Sequence, residues 1–217
     1  MKLTQDMSKV EVKGWEAKYY DRLMDLITLG YYPFFIRKVI KDLDLKPGQK
    51  ILDMGAGTGR NALLMSEYIG QNGAIVGLEI GEEMQEQFQK KSSSHPNIKL
   101  QNIRIDEPLP YHNQFDVAFI SFVLHGFIQE KRETIIQNAY NALKPGGIFA
   151  ILDYANFDVD KAPWYVRFAI RKVECPLAED FINRDTKKML EHFGFCDLEE
   201  HFYFQGYVRL LKAKKCK

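Results

Sequence analysis

The segment KILDMGAGTGRNALLM, residues 50–65, constrains the fold more than any other part of the chain. A short apolar strand carrying Asp53 runs into glycines at 55, 57 and 59, and a helical pattern starts directly after them. A strand that ends in a glycine-rich turn and opens a helix gathers backbone N–H groups at one point, where a ligand can reach the main chain without meeting side chains.

The pattern around this segment alternates. Strand-like stretches AIVGLEI (74–80), NIKLQNI (97–103), FDVAFIS (115–121) and GGIFAILDY (146–154) are separated by helical stretches near 60–69, 82–91 and 129–143, the last with Ile135, Ile136, Ala139, Tyr140 and Leu143 on one face. Strands alternating with helices of this length predict an α/β fold, a parallel sheet covered on both faces. Before it, Tyr20, Leu23, Met24 and Ile27, and then Ile36, Val39, Ile40 and Leu43, repeat at helical spacing, with Gly30 and then Pro47 and Gly48 as breaks. After it, a helix at 184–193 precedes CDLEEHFYF and YVRLLKAKK, which flank Gln205-Gly206 and predict an antiparallel hairpin on a two-residue turn. The connection 155–183 is long and holds Pro163, Trp164, Tyr165, Phe168 and Pro176, which reads as a cap over a ligand site. The expected organisation is one domain over 1–217: a helical cap at 1–48, a binding core at 49–154, a cap insertion at 155–183, and a closing helix and hairpin at 184–217.

Composition narrows the function. The 30 basic and 29 acidic residues leave a net charge of +1, so no nucleic-acid partner is expected. No apolar run is long enough for a membrane span, and MKLTQDMSKVEVKGW does not read as a leader. Cys175, Cys196 and Cys216 are dispersed and odd in number, which suits free thiols in a reducing cytoplasm.

Two ligand classes compete for the glycine turn. A dinucleotide fingerprint spaces its glycines G-x-G-x-x-G, whereas here the order is D-x-G-x-G-x-G, and no G-x-x-x-x-G-K-[ST] phosphate loop is present. Asp53 would repel a diphosphate and favour a ligand with an ammonium group, such as an adenosine bearing an amino-acid tail. Glu79, 26 residues further on, can accept both hydroxyls of a ribose. Asp106 follows the third strand and can meet an adenine amino group. Ser121, Phe122 and His125 follow the fourth strand, where open α/β sheets place their ligands.

ILDMGAGTGR, VGLEI, FDVAFISFVLHGF and LKPGGIFAILDY together resemble, in order, the motifs of the class I S-adenosylmethionine-dependent methyltransferases. YYDRLMDLITLGYYPFFIRKVI (19–40) and LPYHNQFDVAFISFVL (109–124) resemble segments of the ubiquinone and menaquinone C-methyltransferases, with Met24 in place of their Asn and His125 where an Arg is usual. The resemblance implies a Rossmann-like, seven-stranded, mostly parallel sheet, and S-adenosylmethionine as cofactor with S-adenosylhomocysteine as product. Carried over by position, it implies cofactor contacts from Tyr20, Asp53, Gly55, Ala56, Gly57, Gly59, Asn61, Glu79, Ile80, Met84, Asp106 and Ser121. Ile105 competes with Asp106 for the adenine.

Methyl transfer from a sulfonium is an in-line displacement, and holding the reactants near attack distance can contribute roughly 7–11 kcal/mol. His125 reads either as the base that deprotonates the acceptor or as a histidine packed at a helix start. Tyr19 and Tyr20 read either as a closing helix over the cofactor or as core. Trp164, Tyr165 and Phe168 are candidate acceptor contacts, and Arg167, Arg171 and Lys172 beside them suit an anionic lipid surface or a solvated face. Asp158 and Asp160 lack further ligands, so no metal is expected. The resulting expectation is a cytoplasmic monomer or homodimer that methylates a small molecule, a quinone precursor or a lipid, with peripheral membrane contact left open. A non-catalytic cofactor-binding subunit and a methyltransferase for protein or nucleic acid stand as alternatives. Against a nucleic-acid substrate, ISFVLH stands where an N-P-P-Y-like motif would fall.

Overall fold

Strands buried along nearly their whole length, with successive side chains packed on opposite sides, make a sheet with two covered faces. In β1 (Lys50–Met54) Ile51 packs on one face, while Leu52 and Met54 pack on the other. In β4 (Phe115–Ser121) Val117 and Phe119 share the side of Ile51, and Ala118 and Ile120 share that of Leu52. The computed structural model describes residues 3–8, 14–28 and 30–216, so part of the stretch read above for a leader lies outside the described residues.

With β2 (Ala74–Leu78), β3 (Ile98–Gln101), β5 (Leu143–Tyr154), β6 (Phe195–Tyr203) and β7 (Val208–Lys215), these strands form a seven-stranded sheet of order β3-β2-β1-β4-β5-β7-β6. The first five run parallel, β7 is antiparallel to β5, and β6 is antiparallel to β7. On one face lie α3 (Tyr32–Asp42), α4 (Arg60–Ile69) and α5 (Glu82–Ser92), which supply Ile36, Ile40, Met65 and Phe88 to the core. The other face is covered by α6 (Gln129–Ala142), α8 (Pro176–Ile182) and α9 (Thr186–His192) through Ile135, Phe181 and Leu190. Two short N-terminal helices, α1 (Gly14–Lys18) and α2 (Tyr20–Ile27), precede α3. Gly30, at φ 77°, donates its N–H to the Asp25 carbonyl and closes α2 in the left-handed cap its position suggests.

The stretch 155–183 folds as α7 (Trp164–Phe168), a π-helical turn Ala169–Val173 and α8, anchored by a small cluster of Val159, Ile170 and Ile182. Two expectations are corrected. The hairpin turn is longer than two residues: Phe204, Gln205 and Gly206 all take positive φ in a helical turn between β6 and β7. Cys196 and Cys216 are not separate thiols but a disulfide, with Cα atoms 5.9 Å apart, while Cys175 is free and buried. Their separation of 20 residues hides the pairing, because only the hairpin folds them back on each other. Among the described residues no helix is long and apolar enough to cross a membrane.

Candidate active site

The strand order reverses between β1 and β4, since the chain builds outward to β2 and β3 on one side and to β5 on the other. Such a switch point leaves a crevice at the carboxyl ends of the two strands. A cavity of about 490 Å³ opens there, walled by the turn Gly55, Ala56, Gly57 and by Glu79.

The glycines have separate duties. Gly57, at φ 54°, faces space in which an added Cβ would meet nothing within 4 Å, and its N–H donates to Glu79 Oε2 at 2.9 Å. Gly59, at φ 80°, points away from the cavity, and a Cβ there would stand 2.8 Å from the Phe88 ring. The other Glu79 oxygen accepts from the N–H groups of Ile80 and Gly81 at 2.9 and 2.8 Å, so the carboxylate is aimed before any ligand arrives. Asp53 lies beneath the turn, 1% exposed, and its Oδ2 has no hydrogen-bond partner. Burial, and then the charge of Glu79, push its carboxyl up to about 7.

Asp106, also buried, closes another wall beside Ile103 and Ile105. Desolvation would raise its pKa, but hydrogen bonds from Lys131 and Arg104 outweigh that and keep the carboxyl below its usual range. At the end of β4, Ser121 gives way to Phe122, a non-glycine residue at φ 53°. Phe122, Val123 and Phe127 make an apolar wall opposite Glu79. A bulky residue in the left-handed region is costly, and here it stands in the cavity wall.

Helix α2 covers the opening. Thr58 Oγ1 donates to Asp21 Oδ1 at 2.9 Å, Lys91 pairs with the same carboxylate, and Arg60 makes a two-pronged contact with Asp25 at 2.7 and 2.9 Å. The Arg60 guanidinium also lies over the Tyr32 ring. Sequence reasoning passes over Asp21, Thr58, Arg60 and Tyr32. The one available signal was acidic residues four apart on α2 facing a basic residue that opens α4.

Of the residues singled out from sequence, the cavity is lined by Tyr20, Gly55, Ala56, Gly57, Asn61, Glu79, Ile80, Met84, Asp106 and Ser121. Asp53 and Gly59 support the turn from behind. Tyr19 is not at the wall and packs on Trp15. Trp164, Tyr165 and Phe168 do not line the cavity either; they are exposed on α7. His125 is buried behind the Phe122 wall. Its Nδ1 meets Asp153 Oδ1 at 2.8 Å and its Nε2 faces Glu174 Oε2 at 3.5 Å. Burial alone would lower its pKa, but the two carboxylates raise it to about 10. An imidazolium has no lone pair with which to take a proton, so the geometry disagrees with a base role for His125 and agrees with a packed histidine.

An open, mostly parallel sheet with an antiparallel hairpin at its edge, a glycine turn after β1 and a carboxylate after β2 define the class I S-adenosylmethionine-dependent methyltransferase architecture. Residues 51–147 match the methyltransferase domain family. The chain is 31% identical over 138 residues to a demethylmenaquinone methyltransferase of Staphylococcus aureus, covering 63% of this chain and 56% of that protein. It is 27% identical to an uncharacterized methyltransferase of Synechocystis, covering 93% of this chain and 95% of that one. A solved SAM-dependent methyltransferase from Aquifex aeolicus superposes with a TM-score of 0.63 at 21% identity, over 83% of this chain and 89% of that one. Residues 51–147 thus carry a methyltransferase domain, the fold is that of the solved S-adenosylmethionine-dependent methyltransferases, and the chain is similar in sequence to a quinone methyltransferase. It spans a little over half the length, 56%, of the staphylococcal relative.

Proposed function

We propose that this protein transfers the methyl group of S-adenosylmethionine to a small apolar acceptor, a quinone precursor or another lipid. The observation that carries the reading is the carboxylate of Glu79, held by three backbone N–H groups at the rim of a cavity whose opposite wall is Phe122, Val123 and Phe127. One wall suits a ribose and the other an apolar partner.

The residues present fit the cofactor. Asp53 Oδ2 is a buried oxygen lacking a partner beneath the turn, and an ammonium group nearby would satisfy its charge. The space over Gly57 is what a close approach to the backbone needs. Glu79 would hold the ribose, and Ile103, Ile105 and Asp106 would receive the adenine, while Tyr20 and Asp21 line the cavity from α2.

When bound, S-adenosylmethionine supplies an electrophilic methyl on a sulfonium. The protein's part is to hold the acceptor in line and to keep water out. Phe122, Val123 and Phe127 do this as an apolar wall. Burial raises the phenols of Tyr20 and Tyr32, so they stay neutral donors. No neutral imidazole lines the cavity among the described residues, which favours an acceptor that ionises readily or already carries a lone pair.

Calorimetry with S-adenosylhomocysteine, NAD as control and Glu79→Ala beside the native protein tests the cofactor site. The expected loss in the variant is ten- to a hundredfold, about the worth of one or two hydrogen bonds to a charge. Tight NAD binding, or no binding of S-adenosylhomocysteine, would overturn the assignment. Transfer of labelled methyl to demethylated quinones, with phenolic and amine acceptors in parallel, then tests the acceptor class.

A further inference from the structure

The helical run 164–173 leaves its largest apolar side chains in solvent: Trp164 is 73% exposed, Phe168 57% and Val173 60%, with Tyr165 half exposed. Only Ile170 is buried, and it pins the run to Val159 and Ile182. The sequence PWYVRFAIRKV over 163–173 contains Arg167, Arg171 and Lys172 and no acidic residue. Arg171 is engaged by Asp160 and Glu179, whereas Arg167 reaches only the Asp160 carbonyl and Lys172 is exposed with no carboxylate partner among the described residues.

The run also has a defined place relative to the cavity. Tyr154, at the end of β5, packs against the Val159–Ile170–Ile182 cluster, and its ring lies 6.3 Å from that of Phe122 in the cavity wall. One aromatic layer therefore separates the exposed run from the apolar side of the site.

We propose that segment 164–173 is a docking face for an anionic membrane surface. Indole and phenol rings prefer the headgroup boundary, cations beside them meet anionic lipid, and a short helix with both on its outer side lies in the interface plane. A second copy of the chain is the poorer occupant, because a two-fold contact through this face would bring together two cationic surfaces with no acidic residue in 163–173 to offset them. A nucleic acid is poorer too, since two unpaired cations neutralise few phosphates. This deepens the reading of the acceptor as a lipid-soluble molecule, but its test does not depend on finding that acceptor.

The experiment uses the full chain with Trp15→Phe, which leaves Trp164 as the one tryptophan of two. Partition is measured onto extruded vesicles of phosphatidylcholine alone and of phosphatidylcholine with phosphatidylglycerol. The expected result is binding to the anionic vesicles with a blue shift of Trp164 emission, weakened by salt. Arg167→Glu with Lys172→Glu should lower the partition about twenty-fivefold or more, at about fivefold per cation before repulsion. Phe168→Ala with Val173→Ala should lower it by a similar factor. S-adenosylhomocysteine affinity, measured beside it, should be unchanged in the charge variant, so failure of the cofactor site is seen separately. Absence of a blue shift, equal binding to both vesicle types, or a dimer that dissolves on Phe168→Ala would each overturn the proposal.

Discussion

His125 and Asp153 form a closed pair: the imidazole Nδ1 meets Asp153 Oδ1 at 2.8 Å, while the other Asp153 oxygen accepts the backbone N–H of His125 at 3.1 Å. Glu174 completes the enclosure, facing Nε2 and accepting the Tyr154 hydroxyl at 2.6 Å. Arg132, fully buried, takes the carbonyls of Leu124, His125 and Leu177 and ties the same turn to α8. The pair thus fastens the turn after β4, which ends the Phe122 wall, to the segment that carries α7 and α8.

A consequence is a pH dependence with a definite sign. The folded histidine titrates at about 10, above its ordinary 6.5. Its contribution is complete below about 6.5 and is lost as pH rises from there through 10, with a ceiling of about 5 kcal/mol. His125→Gln should lower stability by several kcal/mol at pH 7 and by less at pH 10, read from urea melts at both. The rate profile for methyl transfer should show no His125 inflexion between pH 6 and 8; one that disappears in His125→Gln would restore the base role.

Asp53 should show the same pH sense in a lower window, but from burial of a charge rather than from pairing. Its carboxyl, raised to about 7 from 3.8, binds a proton more readily in the folded state. The ligand-free protein is then most favoured by this group at low pH and loses that advantage as pH climbs from about 4 to about 7. Asp53→Asn should raise the melting temperature above pH 7 while weakening S-adenosylhomocysteine by tenfold or more. A variant that is less stable at pH 8 would contradict the burial argument.

The glycine turn separates folding from binding. Gly59→Ala places a Cβ 2.8 Å from Phe88 at φ 80°, and the expected cost is about 2–3 kcal/mol of stability. Gly57→Ala meets no protein atom within 4 Å, so strain at φ 54° costs only about 1 kcal/mol. Its larger effect should be on S-adenosylhomocysteine affinity. Denaturant melts and calorimetry on the two variants distinguish these outcomes.

Arg60 and Asp25 make a test of the cover formed by α2. Asp25→Asn removes a two-pronged contact and should release α2 by about 1 kcal/mol. Limited proteolysis within residues 14–28 should quicken several-fold, and S-adenosylhomocysteine should protect the native protein more than the variant.

The order of strands and helices, and most of the cavity, were legible in the sequence because they rest on local rules. The apolar run FDVAFIS at 115–121, helical spacing in 129–142 and glycines at 55, 57 and 59 each declare themselves within about a dozen residues. Glu79 was legible because a carboxylate after a strand has one face of a βα turn to occupy. What stayed hidden depends on groups far apart in sequence. His125 read equally as a base or as a packed histidine until the fold set Asp153 and Glu174, 28 and 49 residues away, against its two nitrogens. Trp164 and Phe168 looked like pocket lining because aromatic residues serve equally in a cap or on a surface, and only the anchoring of Ile170 decides which side faces out. Cys196 met Cys216 only once the hairpin turned. Local pattern selects elements and turns; electrostatic environment and exposure are sums over neighbours that the chain brings together only when folded.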